Sequence, residues 1–180
     1  KGVININTNY SCHGGITYGD RFFKCLHVHG SVNVVRAIEK SCNTFFYSII
    51  HDVGLDTWSE YSHKFGFGEK TGIDIGEEIP GVVPSTEYYN RVYGKKGWTQ
   101  GFLISLTIGQ GELSVTPLQL AKYVALIANS GHSAVPHFLK GIVNSETHQY
   151  QSTVPTAIDL NISKESFGIV KEGMYKVVNG

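Results

Sequence analysis

From Val32 to Val53 the chain carries the apolar spacing of one long helix, broken once by Ser41-Cys42-Asn43. Ser and Asn bond nearby backbone and so favour helix ends over helix interiors. On a regular helix, residues two apart point about 200° away from each other, which would keep Ser41 and Asn43 on different faces. In a turn between two helices the same side chains converge on one side. The stretch therefore reads as helix, short turn, helix. Taken alone, the triplet is explained as well by Asn43 acting as a plain cap for the second helix.

The rest of the chain is punctuated in the same way. Residues 1–10 alternate Val3, Ile4 and Ile6 with Asn, the pattern of a short strand. Gly14-Gly15 and Gly19-Asp20 supply turn chemistry for a hairpin lying between Cys12 and Cys25. The spacing predicts a helix over 44–53 ended by Gly54, and another capped by Asp56 and stopped by Gly66. Ser85 caps a short segment through Tyr89. The clearest helix start is Thr116 with Pro117 at the first helical position; Leu118, Ala121, Val124, Ala125 and Ala128 line one face, and Gly131 ends it. A strand over 135–143, a polar loop to about Ile162 and a helix capped by Ser163 follow. That helix presents Phe167, Val170, Met174 and Val177. Short strands mixed with helices, without an internal repeat, make this an α/β or α+β chain.

Composition narrows the function classes. With 41% hydrophobic and 17% charged residues, the 180-residue chain is globular and long enough to bury a core as one domain. Fifteen basic and fifteen acidic residues cancel, so nothing in the charge points to nucleic acid or an anionic membrane surface. No apolar run reaches the roughly 18–20 residues that span a bilayer. The chain starts without Met and stops directly after an amphipathic pattern. It reads as part of a longer polypeptide, so missing targeting signals carry no information on compartment.

Five stretches taken in order carry a resemblance: HGSVNVVRAIEKSCNTFFY, GLDTWSEYSHKFGFGEKTGIDIGEE, GVVPS, GWTQG and LTIGQGELSVTPLQLAKYVALIANSG. Together they resemble the transpeptidase domain of class B penicillin-binding proteins, the elongation-type penicillin-binding protein 2 group in particular. The resemblance covers nearly the whole chain, and IGQGELSVTPLQLA is its most specific part. It implies the penicillin-binding transpeptidase fold, an antiparallel sheet flanked by helices, of which this chain supplies mostly the helical lobe. It also implies an activity: cross-linking peptidoglycan stem peptides by serine acyl transfer, and binding β-lactams. Further implications are a membrane-anchored protein with this domain in the periplasm, and other cell-wall elongation proteins as partners.

Enzymes of this family use a Ser-x-x-Lys nucleophile motif, a Ser-x-Asn and a Lys-Thr-Gly. Ser41-Cys42-Asn43 matches the second. The resemblance gives Ser41 a place in the proton relay to the leaving amine and gives the Asn43 carboxamide the substrate's amide group. No lysine of the chain has a serine three positions before it. Lys70-Thr71-Gly72 looks like the third motif, but it falls only 27 residues after Asn43, inside a separate family landmark. In the family the nucleophile motif lies upstream of this region and the true Lys-Thr-Gly downstream. The expectation is a transpeptidase domain segment, residues 1–180, lacking both and inert by itself. A reading of a different class is a catalytically silent relative or a zinc-stabilised interaction domain.

The cysteine inside the triplet points to a metal. Cys12, Cys25, His29 and Cys42 form the series C-x12-C-x3-H-x12-C, a Cys₃His set of the kind that closes a tetrahedral structural zinc site. Such a site would staple the Gly-rich hairpin to the Ser-Cys-Asn turn and fix where Ser41 and Asn43 point. The sequence leaves a Cys12–Cys25 disulfide and three unlinked thiols open, and His13 or His27 as substitutes for His29. No cofactor is required for the acyl transfer itself.

Overall fold

The computed structural model describes residues 2–180; Lys1 lies outside them. The strands pair as short antiparallel ribbons. β1 (Tyr10–Cys12) pairs with β4 (Gly30–Val32), and β2 (Gly15–Tyr18) with β3 (Arg21–Lys24). Near the other end, β5 (His132–Ala134) pairs with β8 (Ala157–Asp159), and β6 (Gly141–Val143) with β7 (Tyr150–Ser152). Seven helices are interleaved among the described residues: α1 (Val34–Glu39), α2 (Asn43–Val53), α3 (Leu55–Lys64), α4 (Thr86–Tyr93), α5 (Gly101–Leu106), α6 (Pro117–Ala128) and α7 (Lys164–Asn179).

Helix α2 organises the core because its apolar residues point to two sides. Phe45 is fully buried among Cys12, Cys25, Val32, Ala37 and Cys42. Tyr47 and Ile50 face a second cluster with Phe23, Leu55, Tyr89, Leu103, Ile104 and Leu106. The β2–β3 hairpin lies along the helix, with Phe23 edge-on to Tyr47 and Tyr18 stacked on His51. Tyr89 is buried in this second cluster with Trp98 stacked on it and Tyr88 packed against it, while Tyr93 is exposed.

Several local expectations change. Residues 2–9 form no strand. Asn5 and Thr8 bond each other's backbone and side chains, and Asn7 N–H donates to Asn5 Oδ1 at 2.8 Å, so a polar turn replaces the ladder. Only 141–143 of the expected strand 135–143 forms, because Asp74 takes the amides of Phe138 and Leu139 at 2.7 and 2.8 Å. Asp56 does not cap its own helix. Its carboxylate accepts from Thr86 N–H at 3.0 Å and so helps Ser85 cap α4. In α6 the buried residues are Gln119, Leu126 and Ile127, and Val124 is exposed. Gln119 sets this face: its amide donates to the carbonyls of Glu69 and Pro80 at 2.7 and 2.8 Å. Helix α7 buries Phe167 and Gly173, leaving Met174 and Val177 exposed.

Candidate active site and metal centre

The Ser-Cys-Asn break is a helix-ending turn of defined geometry. Cys42 N–H donates to Ala37 C=O at 2.8 Å and Ser41 N–H to Ile38 C=O at 3.2 Å, the paired bonds of a Schellman motif. Ser41 occupies the left-handed position, φ 50, where glycine is usual. Asn43 then opens α2 as its first residue, behind Cys42 as the cap, so Asn43 is not the cap itself. The turn separates three consecutive side chains by environment: Ser41 is exposed, Cys42 is fully buried and Asn43 is half-buried. The polar pair therefore faces outward while the thiol between them faces in.

Cys42 points into a group of donors. Ligand atoms of Cys12, Cys25, His29 and Cys42 all lie within 4.8 Å of one another. His29 Nδ1 sits 3.6 Å from Cys12 Sγ and 3.5 Å from Cys25 Sγ. A tetrahedron with Zn–S of ~2.3 Å and Zn–N of ~2.0 Å has sulfur–nitrogen edges of roughly 3.5 Å, so the two edges at His29 fit a zinc ion. The contributing segments are the end of β1, the end of the β2–β3 hairpin, the turn before β4 and the α1–α2 turn. All three cysteines are buried free thiols. His13 and His27 stay outside the group; the His27 ring lies edge-on to His29 at 6.0 Å.

The thiols differ in their acidity. Burial alone would raise Cys12, but the Thr44 hydroxyl and the backbone of Gly14 and His29 outweigh it and bring it down to about 6. Burial pushes Cys42 up to about 12, and the neighbouring Cys12 and Cys25 add to the rise. Negative charge on all three sulfurs at once would demand a cation among them. A buried threonine following Ser-x-Asn carries no signal until the fold brings Cys12 to within 3.2 Å of it.

Lys70-Thr71-Gly72 lies in a loop, not on a strand. Thr71 is buried, and its amide and hydroxyl both donate to Glu78 Oε2, at 2.9 and 2.6 Å; Gly72 N–H donates to Oε1 at 2.8 Å. These donors are committed to an internal carboxylate. A cleft of about 640 Å³, lined by Tyr18, Asp20, Arg21, Phe102 and Glu112 among others, opens beside the tip of the β2–β3 hairpin; neither Ser41 nor Asn43 lines it.

The sequence matches the family of the penicillin binding protein transpeptidase domain over residues 1–180. The peptidoglycan D,D-transpeptidase MrdA of Escherichia coli K12 is 38% identical over 153 residues, which is 84% of this chain and 24% of that protein. Among solved structures, Pseudomonas aeruginosa penicillin-binding protein 2 in complex with WCK 5153 superposes with a TM-score of 0.85 at 30% identity, covering 99% of this chain and 39% of that one. Helicobacter pylori penicillin-binding protein 2, in its complex with MreC, gives 0.82 at 30% identity, covering 98% and 32%. The chain thus spans about a quarter of the length of the curated relative it matches.

Proposed function

The chain belongs to the penicillin-binding protein transpeptidase domain family, and from that premise we propose that it is the Ser-x-Asn-bearing segment of a serine D,D-transpeptidase that cross-links peptidoglycan. The observation that carries the reading is the Schellman turn. It places Ser41 in a left-handed backbone on the open side of α1–α2, with Asn43 one step further on at the start of α2. A turn built for stability alone would carry glycine there.

In the reaction, the serine of a Ser-x-x-Lys motif attacks the carbonyl carbon between the two D-Ala residues of a stem peptide. The Oγ–C bond forms, the C–N bond breaks, and the departing D-Ala amine takes up a proton. Ser41 stands in the relay that delivers that proton, and the Asn43 carboxamide holds the amide of the stem peptide. The amine of a second stem peptide then displaces the serine. β-Lactams acylate the same serine. This chain has no Ser-x-x-Lys, so the nucleophile comes from another part of the whole protein.

Cys12, Cys25, His29 and Cys42 hold a structural zinc ion in this reading. The metal supplies cross-linking between segments and no part of the acyl transfer. The proposal extends to a periplasmic domain of a membrane-anchored protein that assembles with other elongation proteins. Among the described residues no helix is long and apolar enough to cross a membrane. A second reading is a catalytically silent relative or a zinc-stabilised interaction domain, and the donor set is common to both readings. Fluorescent penicillin separates the two: the protein containing a Ser-x-x-Lys should form a stable penicilloyl adduct, and the 180-residue chain by itself should not. An adduct on the isolated chain overturns the assignment of the nucleophile; no adduct on the longer protein favours the silent domain.

A further inference from the structure

Thr44 is 1% exposed in the first turn of α2, and its hydroxyl oxygen lies 3.2 Å from Cys12 Sγ. Its backbone carbonyl separately accepts from Ser48 Oγ at 2.8 Å, so the helix does not depend on the hydroxyl. None of the four metal-donor residues belongs to α2 itself: Cys42 precedes it, and the others come from strands and turns. Phe45 packs apolar surface against the cysteines, and Thr44 adds a side-chain hydrogen bond from α2 to the donor set.

We propose that Thr44 is a positioning residue for the metal, its hydroxyl donating a hydrogen bond to the Cys12 thiolate. The proposal rests on the metal reading given above. While Cys12 keeps its proton, its S–H donates to Thr44 Oγ1. When a metal binds, the Cys12 proton leaves to solvent and the sulfur becomes an acceptor only. A further partner of that S–H, the His27 carbonyl at 3.4 Å, offers no proton to a thiolate. Thr44 does, after rotation of its hydroxyl about a single bond, and neither residue has to move. The contact reverses its polarity when Cys12 loses its proton, a state the metal fixes, and then ties the sulfur to the turn that begins with Asn43. Hydrogen bonds of this kind orient ligands and tune the metal.

The test uses the intact protein loaded with Co²⁺, with Thr44→Val as the near-isosteric variant and Thr44→Ser as the conservative one. The valine variant should bind one Co²⁺ about 10-fold or more weakly in competition with a chelator, the usual cost of losing such a partner. Its sulfur-to-cobalt charge-transfer band should move to lower energy, because the thiolate has lost a stabilising donor. Thr44→Ser should restore both affinity and band position. Thr44→Ala makes the same comparison if valine disturbs folding. Wild-type affinity and an unmoved band in the valine or alanine variant overturn the role of Thr44 and leave the metal site standing. A wild-type protein that takes up neither Co²⁺ nor Zn²⁺ overturns the metal reading, and this inference with it.

Discussion

The amide of Cys42 reaches back to the carbonyl of Ala37 at 2.8 Å, and the residue between helix end and cap, Ser41, is held at φ 50 as a result. A non-glycine residue in that region costs about 1–2 kcal/mol. Ser41→Gly should therefore raise stability by about 0.5–1 kcal/mol, after allowing for the greater freedom of glycine in the unfolded chain. Denaturant unfolding measures it. A destabilised glycine variant would mean that the Ser41 side chain is a structural element of the turn.

Gly173 of α7 packs against α1, the helix that ends in this turn. A Cβ at Gly173 would stand 2.8 Å from Ile38 Cβ, closer than side chains tolerate. Gly173→Ala gains about 1 kcal/mol in helix propensity. Overpacking costs about 1–3 kcal/mol, so the net change should be destabilising. Thermal melts of the alanine variant decide the sign.

Glu78 carries a pH prediction. Burial raises its carboxyl, but the Thr71 hydroxyl and the amides of Thr71, Gly72 and Ile73 more than compensate and hold it below the ordinary value. A group lowered on folding stabilises fully above its unfolded value of about 4.3 and loses that contribution as pH falls through the lower folded value. Melting temperatures should drop across that acidic window, and Glu78→Gln should flatten the drop. Identical acid profiles for the two proteins would show that the Thr71–Glu78 contact contributes nothing.

The metal makes a prediction of its own. Structural zinc contributes on the order of 10 kcal/mol of apparent binding energy in small domains. Native mass spectrometry should therefore find one zinc per chain, and chelation should lower the melting temperature while exposing three reactive thiols. A metal-free protein with one disulfide and one free thiol would end the zinc reading.

What could be read in advance was whatever depends on local chemistry. Thr116 and Pro117 announce the start of α6, and in the structure Gln119 completes a capping box with Thr116. Ser85 and Ser163 likewise cap α4 and α7. The helix-turn-helix at Ser41-Cys42-Asn43 followed from the dislike of short polar side chains for helix interiors. The series Cys12, Cys25, His29, Cys42 was visible as spacing, and the fold brings those four together. What escaped depends on distant partners. The buried face of α6 is set by Gln119 meeting Glu69 and Pro80, some 50 and 39 positions away. Asp74 undoes a strand 64 and 65 positions further along by taking its amides. Helix α5 has neither a side-chain cap nor acidic residues in its first turn, so nothing local marked its start.

The most direct measurement is the acylation rate of the intact, Ser-x-x-Lys-containing protein by fluorescent penicillin, compared among wild type, Ser41→Ala and Asn43→Ala. Loss of one positioned group in an active site typically costs about 10²- to 10³-fold in rate. Each variant should slow by that order while the domain stays folded, because Ser41 is exposed and Asn43 makes no cap. Wild-type acylation rates in both variants would contradict the account and reduce the triplet to a joint between two helices.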